Sequence, residues 1–323
     1  MYKAGALILT AVFGFANAPA AHSADSIFRV TLLGSGTPDP SPDRFGPSTL
    51  IEAGDQKLLI DVGRGATIRL FQLHIPLSKI DVVFFTHYHS DHTVGMPDLL
   101  LTGWLPPAFG HRTQPLHIVG PTGAKTFLDG IANAYNGDIK GREDQHLPPE
   151  GVAANVEEFS HDGVVHDHAG IKVTAFAVEH IKPAYGYRID YDGRSVVLSG
   201  DTNFNENVIR HGAGADLVVH EVAGINPDLL KLSAFQTILS LHTTPTQAGT
   251  VFARIHPKLA VYTHITQLGT PTAPPPSIAD IINETRQTYQ GPLVVGEDLM
   301  TFDIGASGIA IYRATSQPPM LSR

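Results

Sequence analysis

The sequence predicts a four-layered α/β sandwich, with two strand-rich halves packed together and helices on the outside. Three observations lead there. Short β-like runs alternate with helical ones along the whole chain. The strand pattern breaks off in a polar stretch at 137–170 and then starts again. No short-period repeat is present, and 323 residues are enough for one large α/β domain, read here as residues 25–323.

The elements follow in order. "FRVTLLG" (28–34), "STLIEA" (48–53) and "QKLLIDVG" (56–63) read as strands separated by turns, and "ATIRLFQLHI" (66–75) has helical periodicity. "KIDVVFFTH" (79–87) is almost continuously apolar, the mark of a buried strand. "MPDLLLTGWL" (96–105) is a helix with Pro97 in its first turn. A strand at 115–121 and a helix at 122–136 come next, and residues 137–170 read as irregular. Strands are then expected at 171–178, 185–191, 194–201, 216–221 and 258–264, with helices at 244–255 and 277–289.

Residues 1–24 stand apart. A short basic start, an apolar run from Ala4 to Ala16 and the small residues of "ANAPAAHSA" read as a secretory signal peptide cleaved between Ala18 and Ala24, or as an anchor if uncleaved. The expected location is therefore periplasmic or secreted, with no membrane contact after cleavage. The chain has no cysteine, which excludes disulfides and thiolate ligands and leaves His and carboxylate for any metal. Without residues 1–24, 21 basic residues face 31 acidic ones, a charge of −10 that argues against a polyanionic partner.

The chemistry concentrates in "FFTHYHSDHTVG" (84–95), where His87, His89, Asp91 and His92 fall within six positions at the end of a buried strand. His87 and His89, two apart, share a face in extended geometry. One ion cannot easily take all four side chains from so short a loop, whereas two adjacent ions can. Further ligands should leave other strand ends, and "FAVEH", "VVLSGD" and "AVYTH" end in His180, Asp201 and His264. Nitrogen- and oxygen-rich sites of this kind suit zinc, with manganese or iron as alternatives.

His-x-His-x-Asp-His after a buried strand, followed by a lone His, a Gly-Asp and a final His, resembles the metallo-β-lactamase superfamily. The resemblance implies an αβ/βα sandwich of two mixed sheets, with two Zn2+ at the sheet edges. It implies that His87, His89 and His180 bind the first ion, that Asp91, His92 and His264 bind the second, and that Asp201 bridges them. Asp61, ending "LLID", matches the acidic residue that orients a ligand histidine. The reaction so implied is hydrolysis by a hydroxide shared between the ions, with Asp91 able to take the water's proton.

Three motifs resemble the ribonuclease Z-like group: "LLGSGTPDPSPDRFGPSTLIE" (32–52), which includes Arg44, "VHEVA" (219–223) and "LHTTPTQAG" (241–249). They imply that His242 assists the leaving group with support from Glu221. One feature departs from the group. Ribonuclease Z carries a long tRNA-gripping arm between its lone His and its bridging Asp, but His180 and Asp201 are only 21 residues apart here. With the export signal and the charge, this leads to the expectation of an exported dizinc esterase, an arylsulfatase or phosphodiesterase acting on small molecules and not on nucleic acid. A ribonuclease Z-type tRNA 3′ endonuclease and a lactonase or β-lactamase are the alternatives. Trp104 is a candidate wall for an aromatic group, with core packing as its other reading, and Tyr185 or Tyr187 is expected to face the site. A homodimer is expected by analogy with relatives, and "SHDGVVHDH" (160–168) is expected to be a solvated loop.

Overall fold

The computed structural model describes residues 26–107 and 109–313, so the export reading of residues 1–24 lies outside the described residues. The first half builds β1 (Phe28–Gly34), β2 (Ser48–Ala53), β3 (Gln56–Ile60), α1 (Ala66–Gln72), β4 (Val82–Phe84), α2 (Ser90–Thr93), α3 (Met96–Trp104), β5 (Leu116–Pro121), α4 (Ala124–Ala134), α5 (Asn136–Glu143) and β6 (Ala154–Phe159). The second half builds β7 (Gly163–His168), β8 (Ile171–Ala177), β9 (Tyr185–Tyr191), β10 (Arg194–Leu198), α6 (Glu206–Gly212), β11 (Leu217–Ile225), α7 (Ser233–Leu239), α8 (Pro245–Ile255), β12 (Leu259–Leu268), α9 (Ile278–Thr285), β13 (Leu293–Val295), β14 (Thr301–Gly305) and β15 (Gly308–Tyr312).

Two sheets result, ordered β15-β14-β1-β2-β3-β4-β5-β6 and β13-β12-β11-β10-β9-β8-β7. Each is mixed: β3 to β6 run parallel in the first, and β10 to β13 run parallel in the second. Side chains from both sheets share one apolar core, including Val30, Ile51, Phe84, Val173, Tyr187, Val196 and Val261. The outer faces carry separate cores, one under α1, α3 and α4 and the other under α6, α8 and α9. The architecture is thus the four-layered sandwich expected.

Residues 137–170 are not irregular. They contain α5 and the strands β6 and β7, which add to one edge of each sheet. Both strands expose polar side chains on at least one face, so neither carries an apolar run from which a strand could be read. "SHDGVVHDH" therefore lies largely on β7. The strand expected at 56–63 stops at Ile60, because Asp61 takes a left-handed φ of +60°. The strand expected at 79–87 is paired only over Val82–Phe84, so that residues 85–89 are free to leave the sheet. Between His180 and Asp201, β9 and β10 form a hairpin whose turn residues Asp192 and Gly193 both have positive φ, and no arm is inserted there.

Candidate metal centre

The parallel strands of both sheets end on one side of the molecule, and the side chains that follow them converge there. Asp61 follows β3, His87 follows β4, His180 follows β8 and Asp201 follows β10. His264 reaches the same place by a different device. The pairing of β11 with β12 runs Glu221 to Thr263 and then Val222 to Ile265, leaving His264 as the extra residue of a bulge at φ +43°. Such a bulge re-aims one side chain without ending the strand.

Asp201 sits at the centre. Its Oδ2 lies 3.3 Å from His264 Nε2, 3.4 Å from His92 Nε2, 3.9 Å from His180 Nε2 and 4.0 Å from His87 Nε2. Asp91 Oδ2 is 3.3 Å from His264 Nε2 and 3.7 Å from His92 Nε2. His89 Nδ1 and His180 Nε2 are 3.1 Å apart. Ligand atoms of His87, His89, His180 and Asp201 form one group able to hold an ion, those of Asp91, His92 and His264 a second, and those of Asp201, His242 and His264 a third. Among the described residues, the buried Nε2 atoms of His87 and His92 have no hydrogen-bond partner. Buried imidazole nitrogens left bare beside two carboxylates are costly unless a cation takes them, so the donor set fits metal ions.

The surrounding groups hold these rings in place. The Asp61 carboxylate accepts from Thr86 N at 2.8 Å and Thr86 Oγ1 at 2.7 Å, and it lies 2.7 Å from His92 Nδ1. That contact orients the His92 ring, with Nδ1 toward Asp61 and Nε2 toward Asp91 and Asp201. Leu241 O does the same for His180 through Nδ1 at 2.9 Å, a support that no sequence signal marked. Burial lowers the pKa of His87 well below its ordinary value, and burial also lowers those of His89 and His180, which favours the neutral form that a metal ligand needs. Burial opposes the charge on His92 too, but Asp201 and Asp61 outweigh it and raise its pKa. Burial would raise Asp201, yet His264 and His92 hold its carboxyl well below the usual range.

Glycines let the backbone close on this cluster. A Cβ on Gly46 would lie 2.6 Å from Arg64 N and 2.8 Å from Asp91 O. Replacing Gly46 by alanine must therefore displace the segment that carries Asp91, and a fall in kcat of about tenfold to a hundredfold is expected. Steady-state kinetics with metal analysis of the variant checks it.

His242 and Glu221 meet beside the cluster. Glu221 is buried and its Oε1 accepts from Thr243 N at 2.8 Å and Thr202 N at 3.3 Å. His242 Nδ1 lies 3.4 Å from the same oxygen. Burial disfavours a charged His242, but Glu221 outweighs it and lifts the pKa to about 9. Thr244 caps α8 in a capping box with Gln247, which fixes the start of the helix that follows His242.

Trp104, Tyr185 and Tyr187 do not line the cavity at the cluster. The Trp104 indole is buried and donates to Pro148 O at 2.7 Å. Tyr187 is wholly buried, its hydroxyl donating to Phe85 O, and Tyr185 packs against Phe159. On β9, residues 185 and 187 share the face that points into the inter-sheet core, so alternation sends both tyrosines inward. Trp104→Phe is expected to lower the unfolding free energy by about 1–2 kcal/mol through the lost hydrogen bond and contacts, with KM unchanged. Denaturant unfolding beside steady-state kinetics tests this. The cavity, about 540 Å3, is instead lined by Arg44, by His89, Asp91, His180, Asp201 and His264 of the cluster, by His242, and by residues of α7 and β12 that the sequence did not mark.

This fold and this cluster define a metal-dependent hydrolase. A family model described as "Beta-lactamase superfamily domain" matches residues 56–265, and the chain belongs to the metallo-β-lactamase superfamily, in the branch of the ribonuclease Z proteins. The Ribonuclease Z of Mycobacterium avium is 36% identical over 247 residues, covering 74% of this chain and 86% of its own length. That of Mycolicibacterium gilvum is 33% identical over 282 residues, covering 84% and 95%. Among solved structures, the metallo-beta-lactamase fold protein YhfI from Bacillus subtilis superposes with a TM-score of 0.68 at 20% identity, over 86% of this chain and 100% of its own. Human tRNase Z, short form, superposes with a TM-score of 0.63 at 24% identity, over 84% and 98%.

These relatives overturn two expectations. An arylsulfatase or phosphodiesterase of small molecules, with nucleic acid excluded, does not agree with curated relatives named Ribonuclease Z along 86–95% of their length. The reasoning failed for physical reasons. A net charge is a property of the whole surface and does not report the field at a site that collects cations. The absence of an arm between His180 and Asp201 removes one means of gripping a substrate without altering the bond that the cluster can break.

Proposed function

We propose that the chain is a ribonuclease Z-type endonuclease that hydrolyses a phosphodiester bond of RNA, with 3′-extended tRNA precursors as the substrate class. The observation that carries this is the match to ribonuclease Z proteins across most of their length, 33–36% identical. We propose two zinc ions as the native metal: His87, His89 and His180 would hold one and Asp91, His92 and His264 the other, with Asp201 available to both groups.

Divalent cations held there supply Lewis acidity, which polarises a phosphoryl group and makes water acidic enough to attack near neutral pH. The chain's own residues do the rest. Asp91 accepts the proton of the attacking water. His242 donates one to the leaving oxygen: Nδ1 faces Glu221, so Nε2 is the nitrogen left for substrate. Its pKa of about 9 keeps that proton in place at neutral pH.

The test is incubation of purified protein, loaded with Zn2+ or Mn2+, with a 3′-extended tRNA precursor and, separately, an aryl sulfate. One discrete cut in the precursor and no turnover of the sulfate is expected. An intact precursor with either ion sinks the reading. The periplasmic or secreted location read from residues 1–24 is a separate proposal, tested by N-terminal sequencing of chains from fractionated cells. A cytoplasmic chain that still begins at Met1 overturns it.

A further inference from the structure

Histidines also gather away from the metal centre, in the segment "SHDGVVHDH". β6 and β7 are the edge strands of the two sheets. On that side of the sandwich His166 of β7 approaches His117 of β5, and a cavity of about 610 Å3 opens beside them. His117 pairs with Val82 at the start of β4, whereas His87 of the metal centre follows the end of that strand. The two histidine clusters therefore lie toward opposite ends of the sheet.

A bulge aims the histidines of β7. Its pairing with β8 runs Val164 to Thr174 and then His166 to Val173, leaving Val165 as the extra residue. His166 and His168 thus oppose Val173 and Ile171, both members of the inter-sheet core. Directly opposed residues share a face, so both histidines are turned toward the other sheet, two apart, as His87 and His89 are. On β5, Leu116 and Ile118 pack under the outer helices and Val119 packs between the sheets, so alternation turns His117 inward too. Its Nε2 lies 3.0 Å from Glu157 Oε1 on β6.

These side chains leave coordination chemistry unused. The His166 ring centroid is 6.1 Å from that of His117 and 6.1 Å from that of His168. His166 Nε2 is buried with no hydrogen-bond partner among the described residues. Burial, with His117 and His168 nearby, lowers the pKa of His166 and favours the neutral form that a ligand needs. The residue as a whole is only half-buried and lines the cavity, so an ion arriving from solvent reaches its ring. Three imidazoles and one carboxylate make the donor set of a tetrahedral zinc site. The rings of His87, His89 and His180 stand closer, at 4.7–4.8 Å. The edge cluster is less drawn together, and the exposed His168 must swing inward to close it, so its affinity is the weaker of the two.

We infer that His117, Glu157, His166 and His168 form an accessory site for one Zn2+, which ties the edge of one sheet to the edge of the other. The chain has no cysteine, so no disulfide can make this link. An ion bound only by the folded chain stabilises it by mass action.

The test starts from protein loaded with Zn2+ and desalted, so that the central cluster is filled, and titrates it further with ZnCl2 in a calorimeter. One more ion per chain is expected, with Kd about 1–10 µM. The melting temperature should rise by about 5 °C at a concentration about a hundredfold above Kd. His117→Gln and His168→Gln, one from each sheet, should each lose both the ion and the rise. Neither side chain belongs to an apolar core, and circular dichroism of each variant checks that it folds. No ion beyond the central ones, or an ion that both variants keep, overturns the inference. An ion lost in His168→Gln and kept in His117→Gln belongs to β7 alone and overturns the tie between the sheets. None of these readouts involves a substrate, so the result is independent of the RNA reading.

Discussion

Replacing Asp201 by alanine is expected to lower kcat/KM by about 10³-fold or more and to reduce the bound metal per chain. The carboxylate lies within 4.0 Å of four imidazole nitrogens that come from both halves of the molecule: His87 and His92 from the first, His180 and His264 from the second. No other acidic group among the described residues touches all four. Removing it takes away the negative charge between the two ligand groups, and cations brought close together repel more strongly without it. Lewis-acid stabilisation is worth several kcal/mol, and each 1.4 kcal/mol is a factor of ten in rate, which sets the size of the loss. The variant should still fold, because Asp201 belongs to none of the three apolar cores. Metal analysis, circular dichroism and kinetics on one preparation separate the possibilities. Unchanged activity with unchanged metal content would mean that the central carboxylate has no part in the chemistry.

His242→Ala is expected to lower kcat by about 10²–10⁴-fold while the metal content stays the same. The residue touches the cluster only from the side, with its ring stacked 5.6 Å from that of His264 and its Nδ1 toward Glu221. The pH profile gives a second readout. The pKa in the folded protein, about 9, is above the ordinary 6.5. The acid form therefore persists through neutral pH and is lost as pH rises through about 9. Activity of the unaltered protein should fall along that alkaline limb, and the limb should be absent in the variant. Equal loss of metal and of activity in His242→Ala would reassign His242 as a ligand.

Much of the site was legible in the sequence because its residues follow strands that are themselves easy to read. His87, His180 and Asp201 each come at the end of an apolar run, and a run that ends in a metal-competent side chain gives both the strand and a candidate ligand. Other parts carried no such mark. The left-handed Asp61 and the bulge at His264 are backbone decisions made by pairing with neighbouring strands. The carbonyl that orients His180 belongs to Leu241, whose side chain says nothing about it. Trp104, Tyr185 and Tyr187 looked like site residues by proximity in sequence, yet the direction of a helix face and the alternation of β9 turned them into the core.

By itself the sequence determined the layered α/β architecture, the order of most strands and helices, and a set of histidines and aspartates competent for metal. These are properties of local periodicity and side-chain chemistry, which survive without knowledge of neighbours. Only the tertiary structure decided that Asp201 lies at the centre of the imidazoles, that β6 and β7 complete the sheet edges, and that residues of α7 and β12 line the cavity. Those features depend on which segments meet across the two sheets, and the free energy of such long-range contacts is not carried by any one stretch of chain.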